Sequence, residues 1–456
     1  MGLITRLADI VEEGRQEYLV VTGREQDAER FVLSEIIGKE SVNRLVRSDN
    51  LDFMEYLLKQ RDMAGKVDLI YIDPPFFSKS NYRTEIKLRS DTIDKIPAIR
   101  QKAYHDVWDN SMEDYLRMLT TRLFLMRDLL SDEGSIFVHL DWHATHYVKL
   151  IMDEIFGEKN FVNEIIWQYK SGGVSKRHFA RKHDTLLFYA KTKNYYFEPW
   201  KEKSYNRDFR PYRFKGVKEY KDEVGWYTMV NRKDVWKMDM VGRTSTERTG
   251  YVTQKPEALI ERILESCTVE GSLCADFFGG SGTMAAAADK MGRRWISCDV
   301  GRLATLNSHK RFMDNGASYE YWEDIAGQDA EGGNGILDLD ATVTPSPISD
   351  KLLLRVELVG YNNPSVLTAP VEPAFIPTLK KIMKQDSIQL VDYWSVDTDY
   401  DGRVFRPKAY FCKQNDGLET KYEALGNQFE TVAVKAVDIF GNSGVAILEP
   451  ETIQEG

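Results

Sequence analysis

Cysteine is scarce in this chain, with four in 456 residues, and no two of them form a C-x-x-C pair. This scarcity predicts reduced thiols rather than a disulfide framework or a cysteine-rich zinc site. Long apolar runs are also missing, since no stretch approaches the roughly 18 residues that a membrane-spanning helix needs. The first residues lack the basic and then apolar pattern of a secretory signal peptide. Together these absences predict a cytoplasmic protein that does not contact a membrane.

The composition is that of an ordinary globular protein, with 42% hydrophobic and 29% charged residues. A chain of this length has room for two or three domains of roughly 100–200 residues each. The net charge is −10, yet residues 168–255 contain 21 basic and 10 acidic side chains, whereas residues 321–456 contain 11 basic and 22 acidic ones. The basic stretch is also rich in aromatic residues. It predicts contact with nucleic-acid phosphates, and a solvated polar surface is the alternative.

Four residues, Asp73-Pro74-Pro75-Phe76, follow the apolar run Val67–Ile72, which is typical of a buried strand. Prolines fix the backbone and lack an N–H donor, so their carbonyls are rigid acceptors, and the carboxylate is a further acceptor. The phenylalanine ring offers a flat stacking surface. These groups together predict a pocket for a planar ring that carries an exocyclic amine. A strand that ends in a proline-stiffened turn is the alternative.

A glycine-rich motif, D-F-F-G-G-S-G-T at residues 276–283, lies between a predicted strand and an alanine-rich helix. Glycines let the backbone approach a ligand closely, and a helix start offers free N–H groups. The next predicted strand, Arg294–Asp299, ends in an acidic residue placed to hold ribose hydroxyls. This combination predicts an adenosine-containing cofactor. NAD fits poorly, because the third spaced glycine of the dinucleotide fingerprint is missing and the basic stretch would serve no purpose.

The residues Phe278, Gly280 and Gly282 form an F-x-G-x-G motif. With D-P-P-F, this motif resembles the S-adenosylmethionine-dependent amino methyltransferases of DNA. D-P-P-F comes first, then the basic stretch, then T-Q-K-P at residues 253–256 and last F-x-G-x-G. That order resembles the circularly permuted β class of the family. Within the class, the modification subunits of type III restriction systems are most similar, over residues 45–315.

The alternation of predicted strands and helices favours an α/β fold. The resemblance implies a Rossmann-like, mostly parallel methyltransferase sheet with an inserted DNA target-recognition region. Strand-like segments beyond the part of the chain that the resemblance covers predict a β-rich C-terminal domain. We expect a polar loop at residues 77–110 and a linker at residues 326–334. The expected bounds are 1–44 for an N-terminal helical segment, 45–168 with 249–324 for the catalytic domain, 169–248 for the target-recognition region and 335–456 for the acidic C-terminal domain.

The resemblance implies methylation of the N6 amine of a flipped adenine in duplex DNA, with S-adenosylmethionine as cofactor. Asp73 and the Pro74 carbonyl would accept hydrogen bonds from the amine, next to the rigid Pro75. Phe76 would stack on the flipped base, and Phe77 is expected in the core. The expected DNA contacts in the basic stretch are Lys170, Lys176, Arg177, Arg181 and Lys182.

The resemblance also assigns residues to the cofactor, beside the two glycines. Asp276 is expected near its methionine part and Asp299 on its ribose. Lys255 is expected near the methionine carboxylate, with a surface lysine as the alternative. Phe278 would line the pocket or simply pack. Asp49 would contact the adenine or serve only as a helix cap.

Several alternatives stay open. In the family, Asp at the first motif position accompanies adenine and Ser accompanies cytosine N4, so cytosine N4 is the second choice. A non-catalytic DNA-binding subunit, or a methyltransferase of RNA or protein amines, would also account for parts of the pattern. No helicase or nuclease motif is evident, so restriction would need a partner chain. The acidic C-terminal region could bind such a partner, form a homodimer or mimic DNA.

A second cluster, H-x-D-x-H-x-x-H, consists of His139, Asp141, His143 and His146. Imidazoles and a carboxylate at such spacing can hold a metal ion. The cluster falls on a strand end and helix that flank the active site in the resembled fold, so we expect no metal there. Asp141 is instead expected to face the target pocket.

Overall fold

The computed structural model describes most of the chain. The described residues are 2–25, 29–77, 81–86, 88, 93, 96, 98–105, 111–170, 174–242, 244–326, 335–369, 371–414, 417–449 and 454–455. The elements up to residue 156 are, in chain order, α1 (Leu3–Gly23), β1 (Phe31–Ile37), β2 (Arg44–Arg47), α2 (Asn50–Gln60), β3 (Val67–Ile72), β4 (Asn81–Ile86), β5 (Ile99–His105), α3 (Met112–Leu129), β6 (Leu130–Leu140) and α4 (Thr145–Phe156).

The elements from residue 161 to residue 324 are β7 (Phe161–Gln168), β8 (His183–Ala190), β9 (Lys201–Tyr205), β10 (Glu219–Lys221), β11 (Trp226–Asn231), β12 (Val235–Lys237), α5 (Glu257–Cys267), β13 (Leu273–Asp276), α6 (Thr283–Lys290), β14 (Arg294–Asp299), α7 (Arg302–Asp314) and β15 (Tyr319–Asp324). The C-terminal elements are β16 (Ile336–Pro345), β17 (Leu352–Asn362), α8 (Ile376–Gln385), β18 (Val391–Asp397), β19 (Ala409–Cys412), β20 (Lys421–Gly426), β21 (Val432–Asp438), β22 (Ser443–Leu448) and β23 (Gln454–Glu455).

A large central sheet has the strand order β1-β15-β2-β14-β13-β3-β6-β8-β7-β12. The six strands from β15 to β6 in this order all run parallel. The strands β1 and β8 pair antiparallel with their neighbours, and β8 pairs antiparallel with β7. This architecture confirms the predicted mostly parallel α/β sheet. It also places β3 directly beside β13, so the two motifs that lie about 200 residues apart in sequence meet in space.

Helices cover both faces of this sheet. Side chains of α1 to α4 form one core with one face of the sheet, and side chains of α5 to α7 form a second core with the other face. Strand β3 supplies both, since Ile70 and Ile72 belong to the first core and Leu69 and Tyr71 to the second. Buried parallel strands are apolar on both faces for this reason, which is why β3 appears in the sequence as a continuous apolar run.

Two of the expected regions differ from the structure. Residues 1–44 are not only helical, because β1 is an edge strand that pairs with β15, almost 300 residues later. The expected polar loop at residues 77–110 contains the antiparallel pair β4 and β5. Ile99 and its neighbours pack in the core of the C-terminal region, so the pair is stabilised by a distant partner that local composition does not reveal. Residues 78–80 and 106–110 of that loop lie outside the described residues, as do residues 327–334 of the expected linker.

The expected target-recognition region, residues 169–248, is interleaved with the sheet. Strand β8 lies between β6 and β7, and β12 forms the sheet edge beyond β7. Between them, β9, β10 and β11 form a small antiparallel sheet. Strand β8 thus belongs to the central sheet although it falls within the expected target-recognition region. Strands β9 and β10 of the small sheet are mostly polar and give little apolar signal.

The C-terminal region is β-rich, as predicted, and consists of two four-stranded sheets. It is joined to the central sheet through a buried ion pair between Lys435 on β21 and Glu35 on β1. His309 on α7 lies beside this pair, with its Nε2 atom 3.7 Å from Glu35 Oε2. The four cysteines are free thiols, as predicted. None of the described helices combines the length and apolar character needed to span a membrane.

We expect Lys435→Met to lower the free energy of unfolding by about 3–5 kcal/mol, because it leaves the Glu35 carboxylate buried without its cation. Urea unfolding measures the change. Replacing both partners, Glu35→Leu with Lys435→Met, should recover most of the loss. The control is Arg355→Met, because Arg355 and Glu423 form an exposed pair, 54% and 59% accessible. That loss should stay below about 1 kcal/mol. Equal losses of unfolding free energy in Lys435→Met and Arg355→Met would contradict a larger contribution from the buried pair.

Candidate active site

Four aspartates lie at one edge of the central sheet. Asp299 and Asp276 are the last residues of β14 and β13, and Asp49 and Asp73 come just after β2 and β3. These four strands are parallel and adjacent in the order β2-β14-β13-β3. The carboxyl ends of adjacent parallel strands meet at the same edge, which is where open α/β sheets bind ligands. The aspartates therefore form a row along one crevice.

The D-P-P-F segment turns sharply after β3. Phe76 faces the crevice, and Phe77 has a left-handed backbone conformation (φ +60°) and is buried against Tyr115, with ring centres 6.0 Å apart. The structure thus separates the two rings as predicted. The Lys255 ammonium forms an ion pair with Asp73 Oδ2 and lies 5.0 Å from the centre of the Phe76 ring.

The glycine-rich motif lines the other half of the crevice. The Phe278 N–H donates to Asp276 Oδ1 at 2.9 Å, which orders the turn after β13. The Gly280 N–H donates to Asp299 Oδ2, and the Gly301 N–H donates to Asp299 Oδ1, both at 2.8 Å. Gly280 has φ +51°, a conformation that glycine adopts without strain. Backbone hydrogen bonds thus tie the glycine-rich motif to the end of β14.

These groups surround one cavity of about 420 Å³. Most of the residues predicted for catalysis or cofactor binding line it. They are Asp49, Asp73, Pro74, Pro75, Phe76, Lys255, Asp276, Phe278, Gly280 and Asp299. Further lining residues that the sequence did not single out are Asn50, Tyr71, Met118, Arg122 and Tyr251. In the sequence, these residues are marked only by lying close to a motif or on a predicted helix. The fold was therefore needed to identify them.

Gly282 does not line the cavity, contrary to its expected role in cofactor binding. It caps the start of α6 with φ +70°, and a β-carbon there would lie 2.6 Å from Phe312 Cζ and 2.8 Å from Ser308 Oγ. Its conformation and close packing against α7 both require glycine. Gly282 is therefore packed against α7, whereas Gly280 lines the cavity, and the predicted role of each in cofactor binding stays a prediction.

Asp49 is a helix cap, which is one of its predicted alternatives, and its contact with the adenine stays a prediction. Its Oδ1 atom accepts from the Leu51 N–H at 2.8 Å, as the N-cap of α2, and it also lines the cavity. Arg122 of α3 donates to Asp49 Oδ1 at 2.9 Å and also bonds Asn50 Oδ1. Asn50 in turn donates to the Phe277 carbonyl at 2.7 Å. Through this chain of contacts, α3 fixes the ends of β2 and β13 relative to each other.

The crevice concentrates negative charge where water is largely excluded. Burial raises the pKa of the Asp276 carboxyl well above its usual value, and the charges of Asp73 and Asp299 raise it further. Burial also raises the pKa of Asp299, although the N–H groups of Gly301 and Gly280 oppose the change. A ligand that carries positive charge would relieve this repulsion.

Comparison with known proteins agrees with this geometry. A family model described as DNA methylase matches residues 67–304, more than half of the chain. The chain belongs to the DNA methylase family. This membership confirms the resemblance predicted from the two motifs.

Relatives in this family include two kinds of restriction-modification protein. The type III StyLTI Mod subunit of Salmonella typhimurium is 33% identical over 181 residues, which cover 36% of this chain and 26% of that subunit. The type II methyltransferase M.EcaI of Enterobacter cloacae is 27% identical over 330 residues, covering 59% of this chain and 69% of that protein. The match thus spans about a quarter of the type III subunit's length.

Among solved structures, the M1.HpyAVI–SAM complex is 17% identical with a TM-score of 0.38, covering 59% of this chain and 98% of that one. The PvuII cytosine-N4-specific DNA methyltransferase is 14% identical with a TM-score of 0.40, covering 62% of this chain and 91% of that one.

S-adenosylmethionine, the methyl donor of the family, fits the charge of the crevice. It carries a sulfonium and an ammonium group, which match the row of carboxylates, and its carboxylate matches the cationic side chains. Asp299, at the end of β14, is placed for ribose hydroxyls. Lys255 was expected at the methionine carboxylate, and its ammonium is paired with Asp73 instead. Its assignment to the cofactor therefore stays a prediction.

The histidine cluster does not converge on one point. His139 is fully buried beside Tyr71, whereas His143 Nδ1 lies 2.7 Å from Asp141 Oδ2 and His146 is exposed. Asp141 thus faces His143. Within the part of the chain that the structure describes, no group of three or more His, Cys, Asp or Glu residues is arranged to hold a metal ion.

The residues predicted to contact DNA lie near the loop between β7 and β8. Lys170, Lys176, Arg177 and Arg181 are exposed, and Lys182 is half-buried. This loop enters β8, which pairs antiparallel with β6, so it lies at the same sheet edge as the crevice. Arg181 stacks over the ring of Trp142 at 3.7 Å. The basic side chains therefore lie at the same edge of the sheet as the cavity.

We expect Gly280→Ala and Gly282→Ala to fail in different ways. Both place alanine at positive φ, which costs roughly 1–2 kcal/mol. The Gly282 variant also overlaps Phe312 and Ser308, and overpacking adds about 1–3 kcal/mol. At Gly280 the nearest contact of a β-carbon is 3.5 Å, so the new methyl group fits but lies in the ligand's path.

Thermal unfolding and calorimetric titration with S-adenosylmethionine separate these effects. The Gly282 variant should lose most stability, and the Gly280 variant should lose most cofactor affinity. The reverse pattern would show that the two glycines have been assigned to the wrong roles.

Proposed function

We propose that this protein transfers a methyl group from S-adenosylmethionine to the exocyclic N6 amine of an adenine that is flipped out of duplex DNA. One observation carries the proposal: Asp73 and Phe76 share a single cavity with Asp276 and Asp299. The groups suited to an amine-bearing ring and those suited to an adenosine-containing cofactor therefore face each other. As part of the proposal, the protein acts in the cytoplasm within a restriction-modification or related defence system.

The exocyclic amine of adenine is a weak nucleophile because its lone pair is delocalised into the ring. Hydrogen bonds from both of its N–H groups to Asp73 and the Pro74 carbonyl draw electron density back to the nitrogen. S-adenosylmethionine supplies the methyl group when it is bound. Catalysis then consists of positioning and electrostatics, which preorganised acceptors provide without reorganisation.

Lys255 contributes to this arrangement by pairing with Asp73. Its ammonium pairs with Oδ2, which leaves Oδ1 to accept from the target amine. Phe76 provides the surface on which the flipped base stacks, and Lys255 lies close to this ring. The rigidity of Pro74 and Pro75 keeps the acceptor and the ring in a fixed relation.

The basic loop between β7 and β8 is the proposed contact surface for duplex DNA. Its position beside the cavity suits a target base that leaves the helix next to the protein. Methylation itself requires only this surface and the cavity. A homodimer or a restriction subunit would be an additional partner, for which the acidic C-terminal region, residues 335–456, is the proposed contact site.

Sequencing single molecules of DNA from cells that express the protein tests the proposal. We expect N6-methyladenine at one defined sequence, and Asp73→Ala should abolish it. In vitro, the variant should lose at least about 10²-fold in turnover, because an acceptor needed in the transition state is missing. Its affinity for S-adenosylmethionine should change by less than about 3-fold, or about 0.6 kcal/mol.

The control for this experiment is Asp132→Ala, since Asp132 is an exposed carboxylate near the opposite end of β6, 86% accessible. It should leave methylation intact. N4-methylcytosine in place of methyladenine would assign the other base. No modified base in cells expressing the wild-type chain would overturn the proposal.

DNA binding should depend on Lys176 and Arg177. Each phosphate contact contributes about 0.9 to the slope of log affinity against log salt concentration. The double variant Lys176→Ala, Arg177→Ala should reduce this slope by up to about 2, measured by fluorescence anisotropy at several salt concentrations. The matched control is Lys380→Ala, Lys381→Ala, an adjacent exposed pair on α8. An equal reduction for both variants would contradict a local DNA contact at the loop.

A further inference from the structure

The row of ionisable groups at the sheet edge extends beyond the four aspartates. The next strand after β3 is β6, which carries His139 near its carboxyl end. The strand after that is β8, which runs antiparallel and begins with His183 and Asp184. His139 and Asp184 therefore lie next to Asp73 by the same geometry that places the aspartates together. Neither residue has a role in the proposed function.

His139 is fully buried and both of its ring nitrogens have partners. Nδ1 lies 2.8 Å from the Tyr71 hydroxyl, and Nε2 lies 3.3 Å from Asp184 Oδ2. The Tyr169 hydroxyl donates to the other oxygen of Asp184 at 3.0 Å. Trp167 packs edge-on against the imidazole, with ring centres 5.4 Å apart. The ring is thus held in one orientation by groups from three strands and the loop after β7.

Asp184 is an ionised carboxylate in this arrangement. Burial by itself raises the pKa of its carboxyl, but the hydrogen bond from His139 and the charge of Lys255 bring it below its usual value. An ionised carboxylate accepts a hydrogen bond and cannot donate one, so the proton of neutral His139 lies on Nε2. Nδ1 is then the basic nitrogen, and it is the one that faces Asp73.

Asp73 has one carboxylate oxygen to spare. Oδ2 is paired with Lys255, whereas no hydrogen-bond donor among the described residues reaches the buried Oδ1. His139 Nδ1 is 4.0 Å from this oxygen. A movement of about 1 Å would bring the two atoms within hydrogen-bonding distance. In all, the charged and titratable groups around His139 are Asp73, Asp184, Lys255 and the hydroxyls of Tyr71 and Tyr169.

We propose that His139, held by Asp184, is the terminal acceptor of the proton that the target amine releases through Asp73. The inference deepens the proposed function and rests on it. Because His139 acts through Asp73 and does not touch the substrate, it is a positioning and proton-accepting residue rather than a catalytic residue in the strict sense.

The step balances without any further reactant. Formation of the nitrogen–carbon bond, with the electron pair of the broken sulfur–carbon bond left on sulfur, gives the amine nitrogen a positive charge and one surplus proton. That proton passes to Asp73 Oδ1 and from there to His139 Nδ1, and the Tyr71 hydroxyl, which donates to Nδ1 before the reaction, gives up that hydrogen bond. The resulting imidazolium is stabilised by the Asp184 carboxylate. Asp73 returns to its ionised form and remains paired with Lys255.

There is a physical reason for the released proton to go to a group of the protein in this crevice and not to water. A base stacked on Phe76 covers Asp73, whose side chain is 19% exposed in the open cavity, so water cannot collect the proton directly. An imidazole is suited to this task because its unprotonated ring nitrogen is a base that can take up the proton. An imidazolium already present beside Asp73 would repel the positive charge that develops on the amine, so protonation of His139 beforehand should slow the reaction.

The test compares His139→Asn with the wild-type protein in single-turnover methylation across pH. The wild-type rate should fall as the pH is lowered through the range in which imidazole takes a proton. The variant should be about 10²-fold slower at neutral pH and should lose this dependence, since general acid–base groups contribute roughly 10²–10⁴-fold. Added imidazole should restore part of the rate.

His143→Asn is the matched control, because His143 is paired with Asp141 in the same way four residues further along the chain. It should keep the wild-type rate and pH dependence. If His139→Asn fails to fold, judged by thermal unfolding and cofactor affinity, Asp184→Asn decides instead. Loss of that carboxylate destabilises the imidazolium. The fall in methylation rate at acidic pH should therefore move to lower pH, and the maximal rate should decrease.

Nitrogen NMR of the ¹⁵N-histidine-labelled protein gives a readout that does not depend on activity. The signal that disappears in His139→Asn should show a neutral ring protonated on Nε2 at pH 8. A ring protonated on Nδ1, or a His139→Asn rate within about 3-fold of wild type with an unchanged pH profile, would overturn the inference. Failure of the wild-type chain to methylate DNA would instead overturn the proposed function and leave the NMR result standing.

Discussion

The alignment of parallel strand ends at one sheet edge is the constraint on which the site depends. Each of β2, β14, β13 and β3 delivers one aspartate to that edge, and β6 adds a histidine. These groups lie apart in the sequence, and the order of the strands in the sheet brings them together. Because the sheet spacing is fixed at about 4.8 Å per strand, the groups form a row whose members are close enough to influence one another's ionisation.

That row has an electrostatic consequence. Packing carboxylates together out of water is unfavourable unless cations compensate, and the structure supplies Lys255 at Asp73 and Arg122 at Asp49. Asp276 has a backbone N–H as its hydrogen-bond donor, and burial raises its pKa. The centre of the crevice therefore favours a cationic ligand. Such a ligand would interact with carboxylates of both the glycine-rich motif and the D-P-P-F motif, so the two motifs are linked in energy as well as in space.

Much of the fold could be predicted because its elements are locally consistent. The strand β3, the helix α2 and the strand β7 begin and end where the apolar pattern indicates. The elements that escaped prediction, β1 and the pair β4 and β5, are those whose partners lie far away in the chain. Likewise Gly282 belongs to the motif by spacing, but its contact with Phe312 of α7 is a tertiary one, and that contact decides its role.

The sequence by itself determined the two motifs, their order, the charge of each region and hence the family. Those features depend on residue identity and spacing, which the chain carries directly. Only the tertiary structure decided that Lys255 pairs with Asp73, that Gly280 rather than Gly282 lines the cavity, and that His139 and Asp184 adjoin the site. The physical reason is that β8 returns antiparallel beside β6, a non-local pairing that no local pattern specifies but that brings Asp184 onto the imidazole.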